Sequence, residues 1–189
     1  MASNSAKKEK QLTAKRISET LKNIDKWTTV CDQGKPVVEA ILAAKKDLTK
    51  ESDFSHQLQE SCDKLNEYLP KLEAILVSLE DLHEKIQSVH ELSSLSLSNR
   101  SNPSFVLDES SSSSSTYDTI GLVLYHHRII IDHLKPQLQV FQDVARNIGN
   151  ANTLEQSVFL ACSWTMQPHL NDDYFVAVEF LKSQNNNHE

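Results

Sequence analysis

A chain of 189 residues with 39% hydrophobic residues can bury a sizeable core, and an aromatic share of only 6% makes that core aliphatic. Its net charge of −7 at pH 7 would be repelled by a phosphate backbone, so direct nucleic-acid binding by the body of the fold is excluded. No apolar run approaches the roughly 20 residues that span a bilayer, and Met1 to Lys10 is polar, so a soluble intracellular protein with no membrane partner is expected.

Residues 1–13 read as a flexible basic N-terminus, and 14–183 as a single helical-bundle domain. Lys7, Lys8, Lys10, Lys15 and Arg16 form a solvated helix start or a weak nuclear-import signal. The first helical stretch runs from about Lys8 to Leu48, with Ile17, Leu21, Ile24, Thr28 and Cys31 at alternating steps of four and three. Gly34 and Pro36 predict a kink there, or two helices.

From about Asp53 to Leu92 the heptads are strongest: Leu58, Cys62, Leu65, Leu69, Leu72, Leu76 and Leu79, continued by Leu82, Ile86, Val89 and Leu92. Sustained spacing of this kind underwinds a helix against partners and predicts long coiled-coil-like helices in an elongated antiparallel bundle. Residues 94–116 are serine-rich and too poor in apolar surface to offset ordering entropy, which predicts a disordered loop.

A further helix is predicted from about Tyr117 to Ile148, its seam running through Ile120, His127, Ile131, Leu134, Leu138 and Phe141, with Gly149-Asn150 as the stop. Thr153-Leu154-Glu155-Gln156 resembles a capping box opening a short helix to about Met166. Pro168 ends it, and a last short helix follows from about Asn171 to Lys182, leaving 184–189 as a flexible tail. Pro36, Pro70 and Pro136 each fall near the middle of a long stretch, as stacked kinks or as independent local ones. The fold class is therefore all-α.

Nothing in the chain reads as an active site. Glu80-Asp81-Leu82-His83 is the one Glu-x-x-His motif, where a carboxylate-bridged di-metal centre needs two. Cys31, Cys62 and Cys162 are odd in number and far apart, which suits reduced thiols and neither a disulfide framework nor zinc. His127, in the apolar seam, reads as a hydrogen-bonded interface histidine, with a pH-sensitive or ligand-binding seam residue as the alternative. No phosphate loop or nucleophile elbow occurs, so no catalytic, cofactor-binding or metal residue is assigned and a non-enzymatic protein is expected.

Two segments stand out instead. Each of the two tryptophans lies beside helix breakers, Trp27 ahead of Gly34 and Trp164 ahead of Pro168. A Trp so placed either locks a break into the core or anchors an interface. Trp164, Gln167 and Pro168 are candidate partner contacts and Trp27 a core or interface anchor. Within the serine-rich stretch, Phe105-Val106-Leu107 beside Asp108, Glu109 and Ser110–Ser115 is a linear-motif candidate of the kind that adds a strand to a ubiquitin-like modifier; otherwise it is a tether.

Lys26-Trp27-x-Thr29-x-x-Asp32-x-Gly34 resembles the early Lys-Trp-x-Thr-x-x-Asp-x-Gly element of the cyclin-dependent kinase 2-interacting protein family, and Trp164-x-x-Gln167-Pro168 resembles its late Trp-x-x-Gln-Pro element. The order of elements agrees over roughly 14–183, with Pro70, the serine run and His169 as departures. The resemblance implies a nuclear, secondarily cytoplasmic, non-enzymatic adaptor in DNA replication and the damage checkpoint. It implies as partners cyclin-dependent kinase–cyclin complexes, a checkpoint kinase partner protein and AAA-type ATPase subunits, the last in a complex linked to replisome turnover and large ribosomal subunit maturation. None of the five prolines follows Ser or Thr, so such a kinase would be met through a folded surface. The competing reading is a coiled-coil tether that associates with itself.

Overall fold

The computed structural model describes residues 2–46, 53–98 and 112–186, and over them the chain is an all-α helical bundle. Its helices are α1 (Ala2–Lys46), α2 (Asp53–Asn66), α3 (Leu69–Ser98), α4 (Ser112–Asn147), α5 (Leu154–Met166) and α6 (Asp172–Asn186). They divide into two compact units. The first holds Met1–Lys22, Ser78–Ile131 and Asp173–Glu189, and the second holds Asn23–Val77 and Asp132–Asp172.

Buried positions along α1 include Thr13, Ile17, Thr20, Ile24, Trp27, Cys31, Gly34, Val38 and Ile41, an unbroken alternation of four and three. The expected seam through Leu21 and Thr28 is corrected: Leu21 is half-buried and Thr28 exposed, while Thr20 and Trp27 take the core positions. The helix also passes through Gly34 and Pro36 as one element where two were a possibility. Pro36 removes the donor for the carbonyl of Asp32, and both residues are exposed, so water can take the place of the missing bond. Pro136 lies inside α4 in the same way, four residues after the exposed Asp132.

The long second stretch is two helices. Pro70 falls in the first turn of α3, where a missing N–H costs little, so the expectation of a mid-helix proline is corrected there. Tyr68 N–H bonds to the Leu65 carbonyl at 3.2 Å, a tighter turn that ends α2. The register shifts with it: Tyr68 is buried and Leu69 only half-buried, and at the far end Leu92 is 68% exposed.

Helix also replaces the expected flexible residues 2–13 and both ends of the expected disordered loop, since α3 reaches Ser98 and α4 starts at Ser112. Phe105, Val106 and Leu107 lie outside the described residues.

In the first unit α3 and α4 run antiparallel, because His83 stacks on His127 while His90 lies against Gly121. In the second unit α4 is antiparallel to α2 and α3, with Cys62 beside Gly149 and Glu73 bonded to Gln142. There α1 runs parallel to α4, as the first and third arms of an up-down-up bundle must: Trp27 lies beside Phe141, and Lys45 Nζ donates to the Ala151 carbonyl at 2.9 Å.

The first unit carries a polar layer in its core. Thr20 Oγ1 donates to the Arg16 carbonyl at 2.9 Å, so toward His127 Nε2, also at 2.9 Å, it can only accept. His127 is therefore the Nε2–H tautomer, and its buried Nδ1 has no hydrogen-bond partner among the described residues. Burial, with the stacked His83 imidazole adding to it, pulls the His127 pKa down to about 3. Unfolding releases this imidazole to its ordinary value of 6.5, so the unfolded chain binds the extra proton between those limits. Stability is complete above pH 6.5 and falls as pH drops toward 3, by about 2 kcal/mol at pH 5. Urea melts at pH 8 and pH 5 should show this loss, and His127→Gln should remove about that much of the difference between the two pH values.

Candidate functional site

The two tryptophan segments lie far apart in sequence and meet in the second unit. Trp27, Cys31 and Gly34 stand at i, i+4 and i+7 on one face of α1. Onto that face α5 lays the Trp164 indole, whose Nε1–H donates to the Cys31 carbonyl at 3.2 Å. A Cβ on Gly34 would sit 2.6 Å from Trp164 Cε2 and Nε1, so only glycine lets the ring come this close. Phe141 of α4 completes the cluster, its ring centroid 4.4 Å from Trp164 and 6.1 Å from Trp27. The Cys31 thiol is buried beside them and pushed up to about 12, chiefly by desolvation, which makes it an inert part of the packing.

Trp164 is fully buried, and Trp27 is 1% exposed. Trp164 therefore offers a partner no surface and holds the site together from within; Trp27 takes the core role of its two expected ones. Trp27 Nε1 has no acceptor among the described residues, unlike that of Trp164.

Gln167 caps α5 in the left-handed region, with φ 47° and ψ 65°. It is the one non-glycine residue with positive φ among those described, a conformation that is uncommon for a side chain of this kind. Pro168 follows, and Leu170 N–H closes the turn onto the Gln167 carbonyl at 2.9 Å. Two α4 side chains one turn apart hold the His169 backbone: Gln137 Oε1 accepts its N–H at 3.1 Å, and His133 Nδ1 donates to its carbonyl at 2.7 Å. That bond makes His133 the Nδ1–H form. Pro168 is exposed and Gln167 half-buried, so of the expected contacts these two reach the surface.

At the other end of α5, Thr153 accepts from Gln156 N–H at 3.2 Å, as its spacing implied, while Gln156 Oε1 reaches back one residue further, to Asn152 N–H, at 3.1 Å. Between these ends the outer face of α5 is largely apolar, with Glu155, Gln156 and Thr165 as its exposed polar residues. Leu154 is 43% exposed, Val158 39%, Phe159 69% and Met166 76%, with Cys162 exposed between them. Leu154, Val158, Cys162 and Met166 form one i, i+4 ridge with Phe159 beside it. Beside Phe159 opens a groove of about 540 Å³ lined by Asn147, Asn150, Ala151, Glu155, Gln156 and Leu160. Sequence reading missed this face because a short helix flanked by breakers gives one apolar period too few to tell its outer side from its core side.

Glu80-x-x-His83, the metal candidate in the sequence, lies in the first unit, where His83 stacks on His127 with centroids 5.4 Å apart. Among the described residues no three His, Cys, Asp or Glu side chains gather as a metal site would require. No helix among them is long and apolar enough to cross a membrane. In comparisons with known proteins, no family model and no curated protein matches the chain.

Gly34→Ala should destabilise the protein by about 1–3 kcal/mol despite the better helix propensity of alanine, because the rigid indole must move. In a Trp164→Ala background, itself costing about 3–5 kcal/mol, the same substitution should stabilise by up to about 1 kcal/mol. Denaturant melts of the four proteins in this cycle check the change of sign. Gln167→Gly, by relieving the left-handed backbone, should raise stability by up to about 1 kcal/mol in the same melts.

Proposed function

We propose that this chain is a non-enzymatic adaptor or complex subunit of the kind its sequence resembles, the cyclin-dependent kinase 2-interacting protein family. The observation that carries this reading is the meeting of Gly34 with Trp164. The residues of the two resembling motifs act on each other, and the helix that this contact positions exposes an apolar outer face. A catalytic role would need polar groups converging in a cleft. The groove beside α5 instead joins apolar side chains with amides and one carboxylate, the composition of a surface that recognises another protein.

In this reading the protein works in the nucleus, with the cytoplasm as a second compartment. It serves DNA replication and genome maintenance through cyclin-kinase and checkpoint partners, and as a component of a AAA-type ATPase complex linked to replisome turnover and large ribosomal subunit maturation. Support for these partners comes from the resemblance alone; support for an adaptor comes also from the exposed face.

Affinity purification of the tagged full chain from nuclear and cytosolic extracts, with mass spectrometry and light scattering, tests the reading. Stoichiometric AAA-type ATPase subunits or a cyclin–kinase pair are the expected outcome. Recovery of the bait alone as a homodimer would replace the adaptor with the self-associating tether, for which the exposed Leu92 and Leu95 of α3 supply an apolar edge.

A further inference from the structure

The sequence Leu-Glu-Gln-Ser-Val-Phe-Leu-Ala-Cys-Ser-Trp-Thr-Met of α5 contains a single charge, Glu155. Its inner face is Ser157, Ala161 and Trp164, all buried, and its outer face is the ridge of Leu154, Val158, Cys162 and Met166 with Phe159. A helix apolar on both sides is one that something else covers. What covers it is restricted by charge and by area.

Between Arg146 and Lys182 the chain has no Lys or Arg, while Glu155, Asp172, Asp173 and Glu179 fall in that stretch. Glu155 itself lines the groove beside Phe159. Two cations border the stretch: Arg146 is paired with Asp143 at 3.1 Å, and Lys45 Nζ is held by the Ala151 carbonyl. The one charge on α5 is thus a carboxylate at the groove, in a stretch whose other charges are also negative, which favours a cationic group on the partner. A second copy would bring the same carboxylate with it. A single helix face of four large apolar side chains also falls short of the ~800 Å² per partner of a stable interface between two folded proteins. The face matches one helix laid along another, read at i, i+3, i+4 and i+7.

We propose that the α5 face and its Glu155-edged groove bind an amphipathic α-helix of another protein, one whose apolar stripe is flanked by Lys or Arg. This rests on the adaptor reading and adds the surface and the chemical class of the partner segment. Phe159 and Met166, the two most exposed apolar residues of α5, are the anchors, and Glu155 selects the basic flank.

The test uses the full chain and two labelled 18-residue peptides with leucines at helical spacing, one with lysine and one with glutamate at the remaining positions, in fluorescence anisotropy. The Leu/Lys peptide should bind, the Leu/Glu peptide should not, and Phe159→Asp with Met166→Asp should weaken the Leu/Lys peptide tenfold or more. Glu155→Lys should weaken it by a similar factor, with melting temperatures of all variants within a few degrees of wild type, because Phe159 and Met166 are exposed and Glu155 adds only a surface contact with the positive end of α5. Equal binding of the Leu/Lys peptide to wild type and to Phe159→Asp/Met166→Asp would mean attraction to net negative charge alone and would overturn the proposal, as would tighter binding of the Leu/Glu peptide. Affinity purification of the same double variant separates the two levels. Partners held by wild type and retained by the variant would remove this surface and leave the adaptor standing; absence of partners from wild type would remove the adaptor itself.

Discussion

The contact between a ring and a missing side chain organises the second unit. Trp164 can lie against α1 only because Gly34 has no Cβ, and it stays there because its N–H finds the Cys31 carbonyl. Burying so large a ring without satisfying its donor would forfeit part of what burial gains. With ring and donor both accommodated, α5 is fixed in rotation about its own axis. That rotation decides which residues turn inward, Ser157, Ala161 and Trp164, and which remain outside.

The turn after α5 depends on the same placement. Gln167 adopts a left-handed backbone, and the conformation persists because the next residues are held from α4, where Gln137 and His133 take the backbone N–H and carbonyl of His169. A strained residue survives where its neighbours over-determine it. Trp-x-x-Gln-Pro is thus a structural device: the Trp seats the helix, the Gln turns the chain, and the Pro sets the φ of the turn. Its link to function runs through the face it orients; of its three named residues Gln167 and Pro168 reach the surface, and between them and the buried Trp164 lies the exposed Met166.

The first unit solves a different problem. Thr13, Thr20 and His127 occupy core positions there, and polar groups in a core are tolerated when each hydrogen bond has one consistent direction. Thr20 supplies that direction by donating backward along its own helix, which leaves its oxygen for His127. The arrangement makes the core sensitive to acid, because the remaining ring nitrogen has no acceptor among the described residues to share a second proton with.

Much of this was legible in the sequence, and the misses share a cause. Heptads give the all-α class and the long helices, Thr153 and Gln156 give the start of α5, and Pro168 its end, because these are local effects of spacing and backbone chemistry. The buried seam of α1 lies one residue from the one that spacing suggests through Leu21 and Thr28, because Thr20 and Gly34 do not look like core residues until their partners are known. Spacing alone puts Pro70 in mid-helix, though it falls in the first turn of α3. Only the tertiary structure decides that Trp164 is buried and Phe159 is not, for both sit in the same short apolar helix. A sequence specifies how apolar each residue is; which apolar residues are covered depends on where a neighbouring helix lacks a side chain, and that is a property of two segments together.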